Sequence, residues 1–406
     1  MTDSTGGSFF DVVVVGGGPA GSAAAYTLAT GHLSTCIIDK SEFPREKLCG
    51  GLVTQRSKST FEYVFERQWD DDLVLASNNI NFCFNGNRLV GLGPKEHDTV
   101  MYFTMRVSFD AYLLKMAEQA GATLKLGTRV QSIDLDSNSV LMETGEKIGF
   151  RFLVGADGVN SQVAKQLYGE SFNPNKIGFG LEVEVPRDQL PGQLNTVEID
   201  FAAARWGYGW IFPKKETYTI GVGGIHKLNP DLKAQLRKYL SFKHLDLDAY
   251  RVKGQYIPFG DYRRTPGRRN ILLCGDAAGT VDPITGEGIA YAMQTGHAAG
   301  ITIIESGSLV GVELIKSYLT RYRIVSRSIA KANRWRYLIF PAPIMKTFAW
   351  AFADAGTLQR GYLDLLAGKH DYDALGGLFV KQAIKGFRKL LRKIKLKLGI
   401  GRSGPE

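Results

Sequence analysis

The stretch Phe9-Phe10-Asp11-Val12-Val13-Val14-Val15-Gly16-Gly17-Gly18-Pro19-Ala20-Gly21-Ser22-Ala23-Ala24-Ala25 decides the fold. Its first part, Phe9–Val15, is apolar and β-branched, the pattern of a buried parallel strand. Its last part opens the alanine-rich run Ser22–Ala29, which reads as a helix. The glycines between them have separate tasks. Gly16 makes the turn, Gly18 leaves room for a pyrophosphate, and Gly21 lets helix and strand pack closely. The helix start, with Ala20, offers free amides and partial positive charge to phosphate. A second strand, Thr35–Ile38, ends at Asp39 and Lys40, about twenty residues on, where a carboxylate can accept from ribose hydroxyls. Such a glycine spacing alone carries little. With strand, helix, second strand and acid all in order it predicts a dinucleotide site.

Two more glycine-bearing segments follow strand-like runs far along the chain. Arg151–Val154 leads into Asp157-Gly158, and Asn270–Cys274 leads into Gly275-Asp276. Between the first strand pair and these lie a loop, Lys40–Gly51, and a predicted helix, Thr54–Phe65. Ile80–Phe84 and Arg88–Leu92 read as a hairpin across Asn85-Gly86-Asn87. Arg106 leads into a helix, Phe109–Ala120, stopped by Gly121. Several strands are expected between Thr123 and Val154. Ile177–Val185, Asn195–Phe201, Gly209–Phe212 and Tyr218–Val222 read as a separate antiparallel sheet, closed by Tyr250–Pro258. From Gly286 onward the chain reads as helical. The predicted class is mixed α/β. A Rossmann-type domain with a parallel sheet occupies residues 1–75, 99–175 and 262–310. An antiparallel-sheet substrate domain occupies 76–98 and 176–261. A helical C-terminal region, 311–406, ends in a basic amphipathic tail, 378–402.

Composition narrows the function classes. The chain has 406 residues, 44% hydrophobic and 22% charged, ordinary values for a globular protein of about two domains. Cys36, Cys49, Cys83 and Cys274 form no CxxC pair and no metal-spaced cluster, so neither zinc nor a disulfide framework is expected, and a reducing compartment is. Cys36 and Cys274 lie in apolar runs and read as inert core. The first residues lack the apolar core of a secretory signal, and no run reaches the ~18 apolar residues of a spanning helix. Net charge is +10. Nine basic residues and no acidic one fall between Lys381 and Arg402, so the rest of the chain is near neutral.

Gly16-x-Gly18-x-x-Gly21, Arg106, Asp157-Gly158 and Gly275-Asp276-Ala277-Ala278-Gly279 together resemble flavoproteins of the para-hydroxybenzoate hydroxylase superfamily. The resemblance runs from about Phe9 to about Gly300 and implies bound FAD. It assigns the ribityl or ribose hydroxyls to Asp276. It gives the flavin ring to the turn Asp282–Ile289, through Gly286, Gly288 and Ile289, whose amides suit an anion at a helix start. Lys47-Leu48-Cys49-Gly50-Gly51 and Tyr208-Gly209-Trp210-Ile211-Phe212-Pro213, followed by Gly221-Val222-Gly223, resemble the geranylgeranyl reductase branch. There the Y-x-W-x-F-P segment lines an apolar tunnel, and members reduce isolated double bonds of prenyl chains. Tyr208, Trp210 and Phe212 alternate and would share one strand face. With Pro213 they are the expected substrate contacts. The resemblance sets Cys49 and Gly50 beside the flavin ring, and Cys49 and Tyr208 are the candidates for proton delivery. A plain aromatic core strand and a chemically idle loop cysteine are the bland readings of the same residues.

No second nucleotide fingerprint is present, since Gly221-x-Gly223-Gly224 lacks a following helix and acid. NAD(P)H is therefore expected to bind transiently, or another reduced carrier supplies electrons. Ala383, Ile384, Phe387, Leu390, Leu391, Ile394 and Leu398 fall at helical spacing among the lysines, as in helices that lie on anionic membranes. That predicts a cytoplasmic protein, peripheral on the inner face of the membrane. A solvated helix packed on the domain is the competing reading. Nucleic-acid binding ranks last because only Phe387 interleaves the charges. A flavin monooxygenase of apolar or aromatic substrates is the alternative enzyme, with a halogenase behind it. A membrane-surface flavin carrier is the alternative of another class.

Overall fold

The computed structural model describes residues 8–378, residue 308 excepted. The predicted basic helix at 380–398 lies outside the described residues. Val12–Val15 pair in parallel with Thr35–Ile38 on one side and with Phe152–Gly155 on the other. These four valines are at most 7% exposed, so the strand is buried on both faces as its sequence implies. Among the described residues the full sheet has eight strands, ordered Gly267–Arg268, Ile271–Leu273, Lys147–Gly155, Ser8–Val15, Thr35–Ile38 and Thr123–Lys125. Val130–Asp134 and Ser139–Met142 form an antiparallel extension on Lys147–Gly155.

The helix Pro19–Thr30 begins at Gly18 and packs on Ile289–Ser306 and Arg106–Gln119. The approach to Ile289–Ser306 is close: a Cβ at Gly296 would lie 2.0 Å from the Ala20 carbonyl oxygen. Arg106 opens its helix rather than preceding it, three residues earlier than the sequence pattern suggests. Thr54 caps Gln55–Phe65 by accepting the Ser57 amide.

The second sheet has seven strands, ordered Lys253–Ile257, Gly178–Pro186, Thr217–Ile225, Gly207–Pro213, Val197–Asp200, Ile80–Phe84 and Asn87–Leu92. It is antiparallel except at one junction, where Val197–Asp200 runs parallel to Ile80–Phe84. The expected hairpin is present, with Asn85 and Gly86 in the left-handed region. One face of this sheet packs on a helix not anticipated from the sequence, Leu232–Ser241, through Leu236, Tyr239 and Leu240. The other face turns toward the first sheet and the C-terminal helices Val312–Ile339, Ala342–Ala353 and Gly356–Leu366, with Phe82 and Phe201 against Phe352. A small third sheet, Leu52–Val53, Met101–Phe103 and Leu75–Ser77, was also unanticipated. No helix among the described residues is long and apolar enough to cross a membrane.

Candidate active site

A cleft of about 750 Å³ opens between the two sheets. Its first wall is the dinucleotide end of the eight-stranded sheet. Gly16, Gly18, Ala20, Asp39, Lys40, Arg106, Asp157, Gly275 and Asp276 all line it, joined by Gly286, Gly288 and Ile289. Segments separated by up to 273 positions (16 to 289) thus meet at one cavity. Gly21 does not line it. A Cβ there would lie 1.8 Å from the Gly16 carbonyl oxygen, so this glycine serves helix–strand packing. Gly18 is the opposite case. Its added Cβ would meet nothing closer than Arg45 Nη2 at 3.5 Å, which leaves the backbone open to a ligand.

The four carboxylates of this region differ in what they already hold. Asp39 Oδ2 accepts the Gly17 amide at 2.7 Å and Oδ1 the Ser41 amide at 2.9 Å, which fixes the acid against the glycine turn. Asp157 accepts from Ser161 Oγ at 2.5 Å and the Gln162 amide at 2.6 Å, so its side chain is committed to capping Gln162–Tyr168. Asp110, absent from the sequence reading, grips Arg106 through Nε at 2.6 Å and Nη2 at 2.7 Å, with Arg45 at 3.3 Å. The Asp276 carboxylate has no hydrogen-bond partner among the described residues. Burial pushes its pKa up, and Lys47 and Arg106 pull the other way. An unengaged carboxylate at the end of a glycine turn, facing a cleft of this size, fits a polyhydroxylated ligand such as the ribityl chain of FAD.

The second wall is aromatic. Tyr208, Trp210 and Phe212 line the cleft from one face of Gly207–Pro213, with neighbouring ring centroids 5.9 and 6.2 Å apart. Pro213 ends the strand and borders neither this cleft nor the smaller pocket beside it. Register explains the Gly221-Val222-Gly223 motif. Glu182, Gly221 and Trp210 pair directly across three strands, as do Gly180, Gly223 and Tyr208. Directly paired residues point to the same face. The Trp210 indole lies across the two glycines: a Cβ at Gly221 would be 2.3 Å from its Cζ2 and one at Gly223 3.2 Å from its Cζ3. The motif is a floor for a tryptophan rather than a phosphate loop.

The Lys47–Gly51 loop closes over this floor. The Cys49 amide donates to Glu182 Oε1 at 3.1 Å, and the Gly51 amide reaches Cys49 Sγ at 3.4 Å. Lys214 Nζ donates to the Gly50 and Thr104 carbonyls. Gly50 lies so close to the wall that a Cβ would come 2.7 Å from the Phe212 ring. Lys214 is buried, which lowers its pKa to about 8. Glu182 is buried too; desolvation, then the neighbouring Glu184, raise its pKa to about 7 against the pull of Lys214. Sequence reasoning missed both residues. The signal was present: a glutamate alternating with glycine in Gly178–Pro186 is a charge inside a buried strand, and a lysine directly after Pro213 is a charge at the end of one.

The Tyr208 hydroxyl donates to the Thr285 carbonyl at 2.5 Å, and burial pushes the phenol pKa well above its ordinary value. Tyr208 also lines a separate apolar pocket of about 40 Å³ between the second sheet and the C-terminal helices. Phe201, Ile284, Phe352 and Tyr362 are among its walls. Cys36, Cys83 and Cys274 are buried, and burial raises the thiols of the first two to about 12.

Comparison with known proteins agrees with this architecture. Residues 10–189 match the family described as FAD binding domain. The menaquinone reductase of Mycobacterium tuberculosis is 30% identical over 316 residues, covering 71% of this chain and 75% of that protein. The chloroplastic geranylgeranyl diphosphate reductase of Arabidopsis thaliana is 29% identical over 349 residues, covering 77% and 72%. A geranylgeranyl bacteriochlorophyll reductase-like protein of Thermoplasma acidophilum has the same fold, with a TM-score of 0.76 at 21% identity over 93% of this chain and all of the other. The chain is thus an FAD-dependent oxidoreductase, and it belongs to the geranylgeranyl reductase family within the para-hydroxybenzoate-hydroxylase-like superfamily.

Proposed function

We propose that this enzyme reduces carbon–carbon double bonds in the prenyl chain of a lipid, quinone or pigment. The observation that carries the reading is the position of the Tyr208–Trp210–Phe212 row. All three rings line the cleft that fits the dinucleotide, and Tyr208 also borders a neighbouring apolar pocket. The names of the relatives, menaquinone reductase and geranylgeranyl diphosphate reductase, support the same substrate class.

In this reading Gly16, Gly18 and Ala20 hold the pyrophosphate, while Asp39 and Lys40 hold the adenosine end. Arg106, Gly275 and Asp276 hold the ribityl and phosphate region, and Gly286, Gly288 and Ile289 meet the ring. Bound FAD, once reduced, supplies a hydride. The chain's residues supply the rest. Trp210 and Phe212 exclude water and present ring faces to the positive charge that develops on an alkene carbon as it is protonated. Arg106 is held in place by Asp110. NAD(P)H or another reduced carrier is the electron source. The substrate domain is the seven-stranded sheet, 76–98 and 176–261, and the basic tail brings the protein to an anionic bilayer where such substrates reside.

The test is anaerobic turnover of the dithionite-reduced holoprotein with menaquinone and with geranylgeranyl diphosphate. The expected product, once any quinone ring has been reoxidised in air, gains two hydrogens per prenyl double bond by mass. An absolute requirement for oxygen, with a product gaining an oxygen atom, would establish the monooxygenase reading instead.

A further inference from the structure

The reduction proposed above needs a proton as well as a hydride, and the site holds one acid placed to give it. Glu182 is 4% exposed. Its Oε1 accepts the Cys49 amide at 3.1 Å, while its buried Oε2 has no hydrogen-bond partner among the described residues. It makes no ion pair there either. A buried carboxylate in that position is left with an unsatisfied charge, whereas the neutral acid carries a proton with no competing acceptor. The strand register puts Glu182 in the same row as Gly221 and Trp210, on the face that lines the cleft.

Of the other acidic groups at the cleft, Asp276 is the expected partner of the FAD ribityl hydroxyls, and the rest are held within the protein. Asp39 and Asp157 accept backbone amides, and Glu287 is tied to Arg56 and Thr54. The Tyr208 proton is committed to the Thr285 carbonyl. The charged side chains that act on Glu182 are Glu184, Lys214 and Lys253. Glu184, on its own strand, accepts from Thr217 and Thr219. Lys253, opposite it on the edge strand, pairs outward with Glu46 at 2.8 Å. Lys214 is held by the Gly50 and Thr104 carbonyls.

We propose that Glu182 is the general acid of this site, giving its carboxyl proton to the alkene carbon that does not receive the hydride. The inference rests on the prenyl-reductase reading. The alkene π bond breaks and two C–H bonds form, one from the hydride and one from the carboxyl proton. The acid becomes a carboxylate that solvent reprotonates, and reduced FAD becomes oxidised FAD. A half-turn of the carboxyl about its last torsion exchanges Oε1 and Oε2, so the acid proton is not confined to the buried Oε2 position. Lys214 and the Cys49 amide stabilise the carboxylate left behind. A pKa raised to about 7 by burial keeps a working fraction of the acid form at neutral pH.

The experiment compares wild-type holoenzyme with Glu182→Gln and Glu182→Asp. The glutamine variant keeps shape and the acceptor for the Cys49 amide but has no acid proton. The first readout is infrared spectroscopy of the carboxyl C=O band as pH is varied. A band that titrates near pH 7 is expected in wild type and is lost in Glu182→Gln. The second is anaerobic single turnover of the reduced holoenzyme with menaquinone or geranylgeranyl diphosphate. Glu182→Gln is expected to slow it about 100-fold or more with FAD still bound, and Glu182→Asp to recover part of the loss. Wild-type rates in Glu182→Gln, or the absence of a titrating band in wild type, overturn the proposal. If wild type turns over neither prenyl substrate, the reductase reading fails, and the carboxyl band decides separately whether Glu182 is a titrating acid. A band that still titrates and vanishes in Glu182→Gln then marks the failure as one of substrate rather than of the acid.

Discussion

The Tyr372 hydroxyl donates to Asp282 Oδ1 at 2.7 Å, and that same oxygen accepts the amides of Ile284 at 2.8 Å and Thr285 at 2.9 Å. Both residues are 1% exposed. The C-terminal helical region is thereby fastened to the turn that lines the cleft. A second fastening runs beside it: Arg56 pairs with Glu287 at 2.7 Å and donates to the Leu365 carbonyl at 3.0 Å. Tyr372→Phe removes one donor and leaves Asp282 two amides. It is expected to cost about 1–2 kcal/mol by denaturant unfolding, with FAD retained. Asp282→Ala frees both amides and collapses the turn, so FAD affinity should fall at least about tenfold as well, read by fluorescence titration.

Gly18 and Gly21 stand three residues apart in one motif and separate packing from ligand contact. Gly21→Ala drives a Cβ to 1.8 Å from the Gly16 carbonyl oxygen and is expected to destabilise the apoprotein by about 1–3 kcal/mol. Gly18→Ala has 3.5 Å of clearance within the protein. It should leave the melting temperature of the apoprotein unchanged and weaken FAD binding at least about tenfold. Equal FAD affinity in Gly18→Ala and wild type would remove the pyrophosphate from this turn.

How much of this the sequence carried depends on how local each signal is. The strand–glycine–helix unit was legible because its three parts are contiguous and each has its own period. Its boundaries match the strand Ser8–Val15 and the strand Thr35–Ile38. The hairpin at Asn85-Gly86 was legible for the same reason. The helix Leu232–Ser241 was legible and overlooked: Asp231 caps it, and Leu232, Leu236, Tyr239 and Leu240 follow helical spacing. The parallel junction of Val197–Asp200 with Ile80–Phe84 was not legible, because no local pattern fixes which distant strand is a partner. Glu182 belongs to that class. Its meaning comes from Cys49, 133 residues earlier, and from cross-strand register with Trp210. Gly221 and Gly223 were noticed as a motif, but only pairing shows that they make space for an indole.

That space gives a further prediction. Gly221→Ala sets a Cβ 2.3 Å from Trp210 Cζ2, with the Leu181 carbonyl 2.7 Å away. The indole must lift off the sheet. A loss of about 1–3 kcal/mol in stability is expected, together with a shift in tryptophan emission that a Trp210→Phe background abolishes. An unshifted spectrum would mean that the ring does not lie on this floor.

Burial of Glu182 also makes folding pH-dependent, with a definite sign. The folded-state pKa is about 7 against an ordinary 4.5. The folded protein therefore holds this proton more tightly than the unfolded chain does. The contribution is fully present below about pH 4.5 and is lost as pH rises through 7. Integrated over that range, it amounts to at most about 3 kcal/mol. Relative to wild type, Glu182→Gln should thus be comparatively more stable at pH 8 than at pH 5, by denaturant midpoints at constant ionic strength. A stability difference independent of pH would show that Glu182 is ionised throughout.

Tyr208 supplies the sharpest contrast with Glu182, because the family motif favours it and the geometry does not. Its hydroxyl is a donor to Thr285 at 2.5 Å, and burial pushes its pKa up, both of which withhold the proton. Tyr208→Phe keeps the ring against Trp210 and leaves the Thr285 carbonyl without its donor. About 1 kcal/mol of stability should be lost. Turnover should fall far less than the 10²–10⁴-fold expected from removing a general acid. The pH profile should keep its inflection near 7, since that belongs to Glu182. A loss of 100-fold or more in Tyr208→Phe, with FAD bound and the Glu182 carboxyl band intact, would move proton delivery to the tyrosine.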